Sequence, residues 1–210
     1  MSERVSSFKR LRDLPALFSL HDLRMTGMPP GTERNAVSRW KSYGMIAEAG
    51  PRLGRYYNLV VEPNAPELMR GDVVRAEFGA AIVIGLTVLH DRHWTNQIPA
   101  ALSVAVPPSR TRPQINGVAT YVRPPEWYAM VRAAVVAGER GPYDLYALPP
   151  EWALADMLKH GDCRHGLQPD DVEVPEEEMD AALLAEAFDA LEVPGDVSAP
   201  WTRGQAPRLR

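Results

Sequence analysis

Thr32-Glu33-Arg34-Asn35-Ala36-Val37-Ser38-Arg39-Trp40-Lys41-Ser42-Tyr43-Gly44 carries a start signal, two faces and a stop. Thr32 can cap a helix, because its hydroxyl can accept from a backbone N–H that the first turn leaves unpaired. Glu33 then sits at the positive end of the helix dipole. Val37 and Trp40 are three apart and face a core together. Arg34, Asn35, Ser38, Arg39, Lys41 and Ser42 fill the remaining arc. Gly44 ends the helix as the first residue beyond its cap. The pattern predicts a helix from Glu33 to Tyr43 with an apolar edge and a broad surface of cations and amides.

Working outward from that helix, Phe8, Leu11, Leu14, Leu17 and Phe18 recur at helical spacing, with Lys9, Arg10 and Arg12 on the other face. The spacing predicts a helix over 8–18 that Pro15 kinks or ends early. Ser19 is a candidate N-cap for a second short helix, with Asp22 three residues on and Leu20, Leu23 and Met25 inward. Gly27 to Gly31 is a turn. Beyond Gly44, residues 45–49 and 55–61 read as two strands joined by the tight loop Gly50-Pro51-Arg52-Leu53-Gly54. Three short helices followed by a hairpin is the layout of a winged helix-turn-helix.

An α-helix fits the DNA major groove, where its polar arc meets base edges and phosphates. Arg34 and Arg39 each carry a planar fork suited to guanine O6 and N7, and Asn35 can pair with adenine N6 and N7. Ser38, Lys41, Ser42 and Tyr43 suit phosphates or less specific base contacts. Arg52 and Arg55 lie in or beside the hairpin loop, within reach of a neighbouring backbone or minor groove. The charge distribution agrees. Residues 1–70 hold eleven bases against seven acids, whereas Pro169 to Thr202 holds eleven acids and no bases. A basic end suits a polyanion. An acidic segment is solvated or faces a basic partner.

The rest of the chain reads as a second body. Residues 62–67 (Glu-Pro-Asn-Ala-Pro-Glu) have the composition of a linker. Ala80 to Leu89 is apolar and is expected to be buried as helix. Leu102–Val106 and Val118–Val122 read as strands. Trp127 to Val136 fits either state. Trp152 to Leu158 reads as helix, with Leu154, Met157 and Leu158 on one side. Pro175 to Leu191 reads as an acidic helix with Met179, Leu183, Leu184, Ala187, Phe188 and Leu191 on an apolar stripe. That stripe is expected to pack on its own domain. Residues 192–210 are expected to be loose. The lone Cys163 excludes an internal disulfide, no run of apolar residues is long enough to span a bilayer, and the N-terminus lacks a signal core, which together point to the cytoplasm.

Catalysis and metal binding find little support. His90 and His93, and the trio His160, Cys163 and His165, are zinc-type ligands, but their spacing matches no regular finger. No nucleophile elbow, Walker loop or metalloprotease helix occurs. Neither a catalytic residue nor a metal or cofactor is expected.

The stretch Thr87-Val88-Leu89-His90-Asp91-Arg92-His93-Trp94-Thr95-Asn96-Gln97-Ile98-Pro99 resembles a pattern of the AbiEi antitoxins of type IV (abortive-infection) toxin–antitoxin systems. There Ser-Ala-Leu, a histidine and a glycine precede Thr-x-Gln-Ile-Pro, and a strand follows. Pro150-Glu151-Trp152-Ala153-Leu154-Ala155-Asp156-Met157-Leu158 is similar to the family's Pro-Glu-Arg-Ala-Leu-Leu-Asp-x-Leu. The segment from Val37 through Gly44 to Tyr57 is similar to the family's helix, glycine and hairpin. His93 stands where the family usually has glycine, and Trp152 where it usually has arginine. Across roughly residues 8–172, the resemblance implies an antitoxin that represses its own operon and counters a nucleotidyltransferase-like toxin, often without a stable complex. Of the polar motif members His90, Gln97, Glu151 and Asp156, bracing roles are expected of the last three: Glu151 at a helix start, Asp156 against a neighbouring segment, and Gln97 at a bend.

The expectation is therefore an α+β protein. Residues 1–62 form a winged helix-turn-helix, 68–192 a mixed α/β antitoxin-like domain with an acidic C-terminal helix, and 193–210 a flexible tail. The expected partner is double-stranded DNA bearing an inverted repeat, bound by a monomer or weak dimer. A nucleotidyltransferase-like toxin is the functional partner, and no membrane is involved. The alternative is a protein-binding module that neutralises a basic partner through its acidic C-terminal region without binding DNA.

Overall fold

The computed structural model describes residues 7–29, 31–111, 113–137, 140–163, 166–174 and 180–202. The chain divides into two compact units: residues 1–77 with 111–116, and residues 78–110 with 117–210. The first unit thus continues past the linker expected at 62–67 and takes in a short piece of later sequence.

The first unit opens with α1 (Ser7–Arg12), then β1 (Leu17–Ser19), α2 (Leu20–Met25), α3 (Glu33–Ser42), β2 (Ile46–Glu48) and β3 (Arg55–Asn58). The helix expected over 8–18 therefore stops at Arg12. Pro15 has no N–H to donate and disfavours helical backbone at Leu14, so the chain extends instead. Leu17 to Ser19 becomes a strand antiparallel to β3, pairing Leu17 with Tyr57 and Ser19 with Arg55. On the other edge of β3, Ile46 pairs with Asn58 and Glu48 with Tyr56. The sheet order is β1-β3-β2. Leu11, Leu14, Phe18, Leu23, Ala36, Val37, Trp40, Ile46 and Tyr56 form its core, with the Phe18 and Tyr56 rings 5.6 Å apart. The buried Asn58 ties the end of α1 to the sheet, its side-chain N–H groups donating to the carbonyls of Leu11 (2.7 Å) and Leu14 (3.2 Å).

Two short helices, α4 (Ala65–Leu68) and α5 (Arg70–Glu77), follow β3. The expected linker thus includes a helical turn with Ala65 buried at its start. Residues 113–116 lie along the β2–β3 hairpin. Asn116 donates from its backbone to the Ala49 carbonyl (2.8 Å) and from its side chain to the Glu48 carbonyl (2.9 Å). A Cβ on Gly50 would sit 1.9 Å from the Gln114 carbonyl oxygen, so the close approach of the two backbones depends on glycine.

The second unit contains β4 (Ile82–Val83), α6 (Leu86–Asp91), β5 (Leu102–Val106), β6 (Val118–Val122), α7 (Pro125–Ala137), β7 (Tyr146–Ala147), α8 (Pro150–His160), α9 (Ala181–Ala190) and α10 (Gly195–Thr202). Its sheet runs β6-β5-β4-β7. β5 is antiparallel to β4 and parallel to β6, and β4 is parallel to β7. The apolar stretch over 80–89, expected as one helix, is a central strand followed by a helix. β-branched Ile82, Val83 and Ile84 favour the pleated sheet, and Gly85 breaks the run at φ +60°, where an added Cβ would lie 2.5 Å from the Cys163 Sγ.

Trp94 is fully buried beyond α6, reached through His93 at φ +59°. The Trp94 N–H closes back onto the Leu89 carbonyl (2.8 Å) and the His93 N–H onto that of His90 (3.1 Å). These bonds form a helix-ending motif whose left-handed position normally holds glycine. A side chain there costs about 1–2 kcal/mol, partly offset by the extra chain entropy that glycine loses on folding. His93 is exposed, so His93→Gly is expected to raise unfolding stability by about 0.5–1 kcal/mol. A urea titration checks this, and a destabilised variant would count against the reading.

Helix α8 is buried from Glu151 through Leu158, on all sides rather than the one side expected, and α6, α9 and α10 pack on it. Within α9, Leu184 and Ala187 are buried, as is Leu191 just beyond it, and Leu183 and Phe188 are partly buried. The apolar stripe thus lies on its own unit, though Met179 and the other residues of 175–179 fall outside the described set. Residues 195–202, expected to be loose, form α10 and bury Trp201. The apolar anchor overrides the proline-rich composition, and residues 203–210 lie outside the described set. No helix among the described residues is long and apolar enough to cross a membrane.

Candidate nucleic-acid interface

Ser19 and Asp22 form a reciprocal cap on α2. The Asp22 N–H donates to the Ser19 Oγ (3.3 Å), and the Ser19 N–H donates to the Asp22 carboxylate (2.7 Å). Thr32 occupies the cap position of α3 without capping it, its hydroxyl donating instead to the Pro29 carbonyl (2.6 Å). Glu33 is buried and accepts from the Arg24 guanidinium at 3.0 Å. A hydrogen bond from its own backbone, opposed by burial and aided by Arg24, holds its carboxyl below the usual range. The helix closes with the Gly44 N–H on the Lys41 carbonyl and the Met45 N–H on that of Trp40, Gly44 lying at φ +64°. That is the left-handed stop glycine supplies.

Ala36, Val37 and Trp40 hold α3 to the core, and Arg34, Asn35, Ser38, Arg39, Lys41, Ser42 and Tyr43 are exposed. At about 100° per residue, Arg34 and Arg39 lie about 140° apart around the axis. They form opposite flanks of a crest made by Asn35, Ser38 and Ser42. The two arginines therefore leave the helix from opposite sides of that crest. On the Arg34 flank, Lys41 is paired with Glu48 at 2.7 Å. At the hairpin, Arg52 is exposed with φ +62°. Arg55, expected to join the site, is instead paired with Glu77 at 2.7 Å and partly buried, because α5 places a carboxylate beside it.

The second unit contains a buried polar cluster with no counterpart in the sequence-level site. Arg123 follows β6 and is 2% exposed. It makes a two-pronged pair with Asp156 (Nε to Oδ1 3.0 Å, Nη2 to Oδ2 2.7 Å) and another with Asp162 (2.9 and 2.7 Å). The Trp127 indole N–H also donates to Asp156 (2.6 Å). Burial pushes the Asp162 carboxyl up, but hydrogen bonds and charge from Arg123 outweigh it and hold the group below its ordinary value. Burial, followed by the neighbouring carboxylates, pushes the Cys163 thiol far up, which disfavours the nucleophilic thiolate.

The metal-type residues do not gather as their order in the chain suggests. Among the described residues, the ligand atoms that converge within 4.8 Å belong to Asp156, Asp162 and Cys163, a set without histidine. The guanidinium of Arg123 already bridges its two carboxylates. His160 lies 3.4 Å from Asp156, the His90 Nδ1 is buried without a partner among the described residues, and His165 lies outside them. Asp156 braces a neighbouring segment through Arg123. Glu151 accepts from the Asp180 backbone N–H (3.2 Å), and burial raises its carboxyl above the usual range. Gln97 donates to the Asp171 carboxylate (2.9 Å).

These elements define an α+β protein with an antiparallel sheet in one unit and a mixed sheet in the other. The fold is similar to that of the RV2827C protein from Mycobacterium tuberculosis, a crystal structure, with a TM-score of 0.63 at 16% identity over 96% of this chain and 76% of that one. At that identity the likeness is one of fold. No protein-family model and no curated protein matches the sequence.

Proposed function

We propose that the chain is a DNA-binding transcriptional regulator and the antitoxin of an AbiE-type system, with α2, α3 and the β2–β3 hairpin serving as a winged helix-turn-helix. One observation carries the DNA-binding part: α3 spends its apolar residues on the core and leaves Arg34, Asn35, Ser38, Arg39 and Ser42 outward. Arg34 and Asn35 lie in its first turn, the part of a recognition helix that meets base edges. The loop carrying Arg52 suits a backbone contact. The antitoxin part rests on the family resemblance. It is supported by the left-handed backbone at His93, the position where the family usually has glycine, and by the burial of Glu151 and Asp156.

The test is titration of the purified chain against a duplex from upstream of its gene and a shuffled duplex, at fixed salt. Preference for the first supports the reading, and equal affinity opposes it. For the antitoxin half, the chain is co-expressed with the product of the adjacent gene, and restored growth is the expected result.

A protein-binding alternative has its own observation. With its stripe on α8, α9 leaves Glu186 and Asp189 exposed, and α10 begins with exposed Asp196. Stable co-purification with a basic neighbour, without any DNA affinity, would favour it.

A further inference from the structure

The two edges of the second unit's sheet differ. β7 is two residues long. Arg140 closes its outer side, bridging to Tyr146 through the backbone and stacking its guanidinium 3.6 Å from the centre of the Tyr146 ring. β6, at the other edge, is five residues long and pairs one-to-one with β5, without a bulge. Its sequence, Val118-Ala119-Thr120-Tyr121-Val122, holds no charge and no proline, so it lacks the devices that usually blunt an open edge. The Leu102 N–H donates to the Gly117 carbonyl (2.9 Å), and the Arg123 N–H to the Val106 carbonyl (3.1 Å). Backbone groups alternate sides along a strand. Those of Ala119 and Tyr121 therefore point at β5, and those of Val118, Thr120 and Val122 point away from it. Among the described residues, no backbone group pairs with these three on that outer side. The Val122 carbonyl receives one long bond from the Arg123 side chain (3.4 Å) and keeps a second lone pair.

We infer that β6 docks on β6 of a second copy of this chain, antiparallel, about a two-fold axis at Thr120. In that register Thr120 faces its own copy and exchanges both N–H···O bonds with it, and Val118 of each copy does the same with Val122 of the other. The same strand run backwards thus satisfies every outward backbone group, as a two-fold interface requires. The absence of charge selects this occupant. A basic or acidic strand finds no counter-charge here, whereas self-pairing brings no like charges together. A strand of five residues is about 17 Å long. Its pairing buries less than the roughly 1,200 Å² of a stable interface, so the dimer forms and dissociates with concentration. The inference goes beyond the DNA-binding reading and is tested without DNA. It suits that reading, in which two copies occupy an inverted repeat.

The experiment combines sedimentation equilibrium of the full chain, from about 1 to about 500 µM to bracket a weak dimer, with amide exchange. Wild type is expected to rise from the mass of one chain towards that of two. Exchange at Val118, Thr120 and Val122 should slow as concentration rises, while Ala119 and Tyr121 are already slow when dilute. Thr120→Lys and Thr120→Glu each set like charges opposite each other, and each should weaken self-association about fivefold. Their equimolar mixture should associate more tightly than either variant alone, because residue 120 then faces an opposite charge. A wild type that stays a single chain, with exchange at the three amides independent of concentration, overturns the inference. So does self-association that Thr120→Lys leaves intact at a wild-type thermal midpoint, or a mixture of folded variants no tighter than its components. Should either variant fail to fold, the wild-type exchange pattern decides.

Discussion

Arg34→Ala is expected to lower affinity for the upstream duplex by about 1–3 kcal/mol, roughly five- to 160-fold, the worth of a two-pronged arginine–guanine contact. The shuffled duplex should lose much less, so the ratio between the two duplexes collapses. The fold should tolerate the change, because Arg34 is exposed and such substitutions usually move stability by about 0.5 kcal/mol or less. Side-by-side titrations and a thermal melt at fixed salt decide it. If the variant matches wild type on both duplexes, Arg34 reads no base and α3 is an ordinary solvated helix.

The other large effect concerns stability. Arg123→Met should destabilise the second unit by about 3–5 kcal/mol, since removing the cation leaves Asp156 buried without its counter-charge. Arg123→Lys should rescue little, because one ammonium cannot reproduce the two forked contacts. The cluster also sets an acid response. The folded-state pKa of Asp162 is lowered, so its contribution is complete above the ordinary Asp value near 4 and is lost as pH falls through the lowered value. In Arg123→Met this part of the acid dependence should disappear. Urea titrations at pH 7 and at pH 3 to 4 measure both effects. A variant within about 1 kcal/mol of wild type at pH 7 would mean that the buried carboxylates find other partners.

Much of the first unit was legible from local signals, each with a mechanism. Ser19 and Asp22 cap α2, Gly44 stops α3, and Val37 and Trp40 mark its inner edge. Thr32 misled because its hydroxyl had a nearer acceptor at Pro29. The 8–18 pattern misled because apolar spacing alone cannot tell a helix from a helix that breaks at proline into a strand. In the site, the seven polar residues from Arg34 to Tyr43 are exposed, as the pattern suggested. The pairing of Arg55 was not legible locally, as its partner Glu77 lies 22 residues away. Arg123 had no local signal. A single arginine between a strand and two prolines looks like a surface charge until Asp156 and Asp162 are brought to it.

The loan of residues 111–116 to the first unit has a practical corollary. A fragment ending at residue 62 would lack Glu77, which holds Arg55, and a fragment ending at residue 77 would still lack Asn116 and the backbone nestled against Gly50. Either excised head should show a frayed wing, with faster amide exchange at Ala47 to Gly54 than in the intact chain. Adding a synthetic peptide of residues 109–118 to the longer fragment should slow that exchange. Part of the first unit's fabric is thus encoded more than thirty residues downstream of its main stretch, so that stretch is not self-sufficient.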